Sequence, residues 1–211
     1  MKLLYSVALV GLLAACGTQS SHLNTKVSSA KLAEIAALSG DAGAAESIYA
    51  TAAQDNPSDA KAQLDYANVL VQGNKINDAR RVLASRIGSV RDASSLHGPL
   101  GSVYVLTGEA QQAVAEFDAA LAHDSRNVRW LTNKAIALDL LKQHTQAQDL
   151  YRKALAESPG DPTIVSNYGL SLALSGNKDE AARVIAPLVN QADLMPRVKN
   201  TLDAIRGGKV G

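Results

Sequence analysis

The sequence predicts an all-α solenoid of about five helix-turn-helix repeats, closed by a C-terminal capping helix. Three observations carry that expectation. The chain repeats itself at a spacing of 34 residues without any gap. One column of the repeat is always Ala (Ala45, Ala79, Ala113, Ala147, Ala181), and another is always small (Ala33, Ala67, Gly101, Ala135, Gly169). The chain is 46% hydrophobic but only 4% aromatic, which suits a thin core that grows one repeat at a time.

The columns have a physical reading. Antiparallel helices approach closely only where side chains are small, so the two small columns mark the contact between the helices of a pair. The large apolar columns, Tyr104, Leu138 and Leu172 with Phe117, Tyr151 and Ile185, fill the space between neighbouring pairs. Gly40, Gly108 and Gly176 fall where the chain turns, a place where helices often end in a left-handed residue. These columns resemble the tetratricopeptide repeat (TPR) family over residues 26–195. The family's Pro closing the second helix is present as Pro57 and Pro159; the other copies have Arg91, Ser125 and Asp193 there. Copy two also places Arg86 where a small residue is usual.

Residues 1–15 read as a signal peptide: Lys2 supplies a positive start, and an apolar run follows that is shorter than the ~20 residues a spanning helix needs. The run ends in Leu13-Ala14-Ala15-Cys16, which resembles the bacterial lipobox. That resemblance implies cleavage before Cys16 and lipidation of its thiol; an ordinary secreted protein with a chance cysteine is the alternative. Cys16 is the only cysteine, so no disulfide can form within the chain. By the same resemblance, Gly17 after the cysteine favours the outer membrane. Residues 16–29 form a lipidated cysteine with a flexible tether rich in Gly, Ser, Thr and Asn.

The array spans residues 30–194. Its first repeat is expected as helices over 30–39 and 42–54, ending at Asn56-Pro57 because the residue before Pro is biased away from helix. The second is expected over 59–72 and 77–86, followed by an irregular stretch over 87–95. Pro99 is tolerated only in a first turn, so the third repeat is expected to start near His97. The fourth starts after Asn127. Asp161-Pro162 opens the fifth as N-cap and first helical residue, and Pro187 shortens its second helix. Residues 195–211 supply the cap and tail, with Val198, Leu202 and Ile205 at helical spacing.

Charge and motifs point away from several functions. The formal charge is +1, and loss of Lys2 with the leader leaves acidic and basic residues equal in number. Nothing grips a phosphate backbone, so nucleic acid is not an expected partner. His22, His97, His123 and His144 form no ligand-spaced pair and read as solvated or rim residues, so no metal is expected. Gly169-Leu170-Ser171-Leu172-Ala173 faintly resembles a nucleophile elbow, but no strand precedes it. No catalytic residue, cofactor or small-molecule substrate is expected, and the protein does not read as an enzyme.

In the TPR family the first helices line a concave groove. The exposed first-helix positions here include Lys61, Leu64, Asn68, Ser102, Val105, Arg129, Asn133, Ile136, Asp139, Asn167 and Leu170. Amides there can bond a peptide backbone, and the apolar members can take its side chains. Asn133 and Asn167 share a column and serve either a partner or backbone groups between repeats. Copies three to five keep the columns best, so their concave face is the expected working surface.

The lipobox, the run Asn167-Tyr168-Gly169-Leu170-Ser171-Leu172-Ala173-Leu174-Ser175-Gly176, residues 182–188 with Pro187, and Pro196-Arg197-Val198-Lys199-Asn200 are similar to the TadD lipoprotein family of tight-adherence (Tad/Flp) pilus assembly. That resemblance implies a scaffold or pilotin on the periplasmic side of the outer membrane, held by its N-terminal lipid. Its partners would be proteins, a secretin or other pilus-assembly components. The alternative is a TPR lipoprotein scaffold for another envelope complex: outer-membrane protein assembly, a type IV pilus or a peptidoglycan-enzyme adaptor.

Overall fold

The computed structural model describes Ala36 and residues 41–89 and 93–188. Among them are nine α-helices, one 3-10 turn and no strand. The helices are α1 (Ala42–Asp55), α2 (Ala60–Gln72), α3 (Ile76–Arg86), α4 (Ser94–Thr107), α5 (Ala110–His123), α6 (Val128–Leu140), α7 (His144–Glu157), α8 (Pro162–Leu174) and α9 (Lys178–Ile185). The 3-10 turn Ala186–Leu188 follows α9 and contains Pro187. Each helix packs on the next in the chain, and the first helices α2, α4, α6 and α8 also touch one another in succession. Two layers result: first helices form one, second helices the other. The expected leader, Cys16, the tether, the first helix of repeat one apart from Ala36, and the tail all lie outside the described residues.

The small columns are where helices meet. Ala79, Ala113, Ala147 and Ala181 are completely buried, and Ala67, Gly101, Ala135 and Gly169 are buried opposite them. A Cβ added at Gly101 would stand 2.8 Å from the Phe117 ring, so that aromatic sits where any larger residue would. Gly98 is tighter: its Cβ would lie 2.3 Å from the Trp130 ring. Phe117 and Trp130 are themselves stacked, with centroids 6.1 Å apart.

Turns within a pair repeat one geometry. The N–H of Lys75, Glu109, Gln143 and Asn177 donates to the carbonyl of Leu70, Tyr104, Leu138 and Leu172 respectively, at 2.7–2.9 Å. This closes the helix end in the Schellman manner, which requires a left-handed residue just before the donor. Gly108 and Gly176 provide it, but so do Asn74 (φ 58°) and Lys142 (φ 62°). Helix starts are fixed by side chains: Asp59, Asn127 and Asp161 cap α2, α6 and α8 by accepting backbone N–H bonds. Ala93 stands in the same column before α4 and has no oxygen to offer.

The third repeat departs from expectation there. α4 starts at Ser94, not near His97, and Pro99 lies inside it. Leu96 explains the early start. It is fully buried among Leu83, Leu100 and Val103, so packing draws the preceding turn into the helix although Pro99 cannot donate to the Ser95 carbonyl.

Ion pairs tie successive repeats in register. Glu46 pairs with Lys75 at 2.7 Å, and Arg80 pairs with Glu109 one repeat later, in the same two columns with the charges exchanged. Such solvent-reached pairs contribute little energy each, but a mismatched neighbour would place like charges together.

Candidate protein-binding groove

The layer of first helices carries a cleft of about 360 Å³. α2 contributes Leu64, Ala67, Asn68 and Val71; α4 contributes Pro99, Ser102, Val103 and Leu106; α6 contributes Arg129, Trp130 and Asn133. Its floor is apolar and its rim carries amides, a hydroxyl and one guanidinium. The cleft thus lies over repeats two to four. Of the residues singled out from the sequence, Leu64, Asn68, Ser102, Arg129 and Asn133 meet around it.

The others lie outside this cleft. Val105 packs beside the cluster of Ala113, Phe117 and Ala137. Ile136 and Leu170 pack against the core shared by α6, α7 and α8. Asn167 is partly buried on α8. Asp139 is engaged on three sides: Ser171 Oγ donates to its Oδ1 at 2.7 Å, Tyr151 Oη donates to its Oδ2 at 3.1 Å, and His144 Nδ1 lies 2.8 Å from Oδ1. Burial, then the Asp139 carboxylate, push the Tyr151 phenol far above its ordinary value, so it stays a neutral donor. Ser171 is fully buried, and its hydroxyl is taken up by the Asp139 carboxylate. The arrangement locks three helices together.

Asn133 bonds a side chain rather than a backbone group. Its Nδ2 donates to Ser102 Oγ at 3.1 Å, and that hydroxyl donates to the Gly98 carbonyl at 3.1 Å, so the amide bridges repeats through a side chain. Two histidines differ from expectation. His97 pairs with Glu116 at 2.7 Å and His144 with Asp139, both partly buried, because each stands at a joint between helices rather than at a rim. Among the described residues no cluster of His, Cys, Asp or Glu could hold a metal ion, and no helix is long and apolar enough to cross a membrane.

One feature escaped the sequence reading. Leu106, Leu140 and Leu174 are 61%, 55% and 46% exposed. They occupy one column near the ends of α4, α6 and α8, where α2 has Gln72, and the repeat spacing itself was the signal that could have found them. Trp130, Pro99 and Val103 were also missed as cleft residues; they come together where α4 and α6 meet at the close approach of Trp130 to Gly98.

Profiles of the tetratricopeptide repeat match residues 36–98 and 140–205, and a further tetratricopeptide repeat profile matches residues 99–162. An uncharacterized protein of Sinorhizobium fredii, y4yS, is 36% identical over 69 residues, a stretch covering 33% of this chain and 38% of that relative. The chain therefore matches well under half the length of this curated relative. Among solved structures, a tetratricopeptide repeat protein from Parabacteroides merdae superposes with a TM-score of 0.70 at 16% identity, covering 85% of this chain and 72% of the other. A thermophilic TPR protein of Thermus thermophilus gives 0.65 at 21% identity, covering 82% and 97%. YrrB, described as a TPR protein with an unusual peptide-binding site, gives 0.66 at 15% identity, covering 83% and 90%. At these identities the likeness establishes a shared fold. With family profiles matching residues 36–205 and helix pairs stacked throughout the described residues, this chain belongs to the tetratricopeptide repeat family.

Proposed function

We propose that this protein is a lipid-anchored scaffold of the outer membrane that faces the periplasm and assists assembly of a Tad/Flp pilus apparatus. It holds a protein partner, a secretin or another assembly component, in its concave cleft. TPR repeats serve protein–protein binding, and proteins of this family are typically scaffolds rather than enzymes. The observation that carries the binding reading is the cleft over repeats two to four, with an apolar floor and an amide-bearing rim. Such a mixture suits a peptide segment, whose side chains enter the floor while its backbone bonds the rim. The fold shared with YrrB, a protein described by its peptide-binding site, supports the same use of the fold. The anchor rests on Cys16 after the small-residue run Leu13-Ala14-Ala15, and the pilus assignment on the resemblance of repeat five and the tail to the TadD family.

The test pairs two variants in the host. Cys16→Ser is expected to lose fatty-acid label and leave the membrane; equal labelling of variant and wild type contradicts the anchor. Asn68→Trp fills the cleft from an exposed position, so the fold is expected to survive, as helicity by circular dichroism would record. Heat-resistant secretin multimer in the membranes is expected to fall. Normal multimer with a folded Asn68→Trp protein removes the cleft from secretin assembly. Ile136 and Leu170 serve this purpose less well, because both pack against the core.

A further inference from the structure

We infer that the cleft recognises an acidic residue next to an apolar one, presented on an extended stretch of the partner's chain. The inference rests on the concave cleft being the partner's seat, and it is carried by charge. Along the described first helices, Lys61 is bonded to Asp65, His97 to Glu116, Lys134 to Asp118 and Asp139 to His144, while α8 has no charged residue. Arg129 alone has no carboxylate partner among the described residues, and it stands on the cleft's rim. Its guanidinium carbon lies 5.2 Å from the centroid of the Trp130 ring. Trp130 is in turn held between Gly98 and Phe117. A guanidinium resting on an aromatic face keeps its in-plane N–H donors for a carboxylate and loses little freedom on binding one.

The floor beside it supplies the second half of the motif. Leu64, Val71, Val103 and Leu106 line an apolar space within the 360 Å³ cleft. Ligand sites run from about 300 to 1,000 Å³, so this one takes a side chain or two rather than a whole helix. The rim amides choose the backbone conformation. Asn133 spends one Nδ2 hydrogen on Ser102, leaving its Oδ1 and second hydrogen without a partner among the described residues, and Asn68 faces the same cleft exposed. A helical ligand has its backbone groups bonded internally; an extended one offers free N–H and C=O groups to such amides.

The experiment uses the full chain in detergent, fluorescently labelled, on an array of every ordered residue pair in one fixed peptide frame. Prolines flank the pair to keep it extended. Retention is expected on pairs of Asp or Glu with Leu, Ile, Met or Phe. In solution the Asp peptide is expected to bind about tenfold more tightly than its Asn counterpart. Arg129→Gln is expected to abolish that difference, and Leu106→Asp to abolish retention of the apolar member. Equal binding of the Asp and Asn peptides, an acid preference that survives in Arg129→Gln, or no retention of any pair overturns the inference. The groove reading is judged separately: loss of secretin multimer in Asn68→Trp together with a silent array keeps the groove and discards the motif.

Discussion

Repeats two and three share their columns with repeats four and five, yet the two halves are joined differently. Between repeats two and three the buried joint is an apolar cluster of Ala67, Leu70, Ala79, Leu83, Leu96, Leu100 and Val103, with the Arg80–Glu109 ion pair beside it. α2 buries only Gln63, Ala67 and Leu70, and the concave side above it is left open as the cleft. Between repeats four and five, α8 buries Ile164, Val165, Ser166, Tyr168, Gly169, Ser171, Leu172 and Ala173. There Tyr151 and Tyr168 pack at 6.1 Å, and Asp139 binds α6, α7 and α8 together. Asp139 stands in the column that has Val105 in repeat three, and Ser171 in the column that has Ala137 in repeat four. The repeat columns therefore set how the layers stack, while residues between the columns decide whether the concave face is open or locked. The cleft opens over repeats two and three and the first turns of α6, while the Asp139 network closes the joint between repeats four and five.

The largest expected effect tests the locked half. Tyr151→Ala leaves a cavity at a fully buried ring and takes a donor from Asp139, and is expected to cost about 3–5 kcal/mol. Tyr151→Phe removes only the hydroxyl and is expected to cost about 1 kcal/mol. Denaturant midpoints of the two variants separate packing from hydrogen bonding; equal losses would show that the ring fills no space. Next, Ala147→Leu overpacks a site with no exposure, and is expected to cost about 1–3 kcal/mol. An unchanged thermal midpoint would mean that the Ala column does not mark the helix contact.

A smaller effect has the opposite sign. Lys142 holds φ 62° where repeats three and five use Gly108 and Gly176. Lys142→Gly is expected to stabilise by about 0.5–1 kcal/mol, the left-handed strain relieved less the entropy of a glycine in the unfolded chain. A lower midpoint would contradict the turn geometry. The smallest effect lies on the surface. Glu157's carboxyl is held below its ordinary value by the hydrogen bond from Arg126 and then by its charge. A depressed folded-state value adds stability that is present above the unfolded value and lost as pH falls through the folded one. Arg126→Ala is therefore expected to be slightly less stable at neutral pH, with the two curves merging below about pH 4.3. Curves that diverge towards acid would contradict the pair.

Most of the fold was legible because each column answers to one local cause. The Asp161 cap placed the start of α8, and small columns placed the contacts. Pro99 misled where burial of Leu96 outweighed a missing donor. Lys142 concealed a left-handed turn that only its place in the Gly column discloses. The site was less legible. Arg129, Asn133, Ser102 and Asn68 stood out as polar residues on the first helices, but the cleft's place over repeats two to four depends on the Trp130–Gly98 contact. The expectation for repeats three to five rested on how well they keep the columns, and column quality tracks packing rather than openness. No periodicity announces that Asp139 and Ser171 will meet.

The division between an open and a locked half is tested most directly by photo-cross-linking in the host cell. A benzophenone side chain is placed in turn at Asn68 in the cleft and at Arg152, exposed on the second-helix layer over the locked half. A cross-linked protein adduct is expected from position 68 and none from position 152. Adducts from position 152 with none from position 68 would contradict the account, placing recognition on the opposite layer and leaving the cleft without a partner.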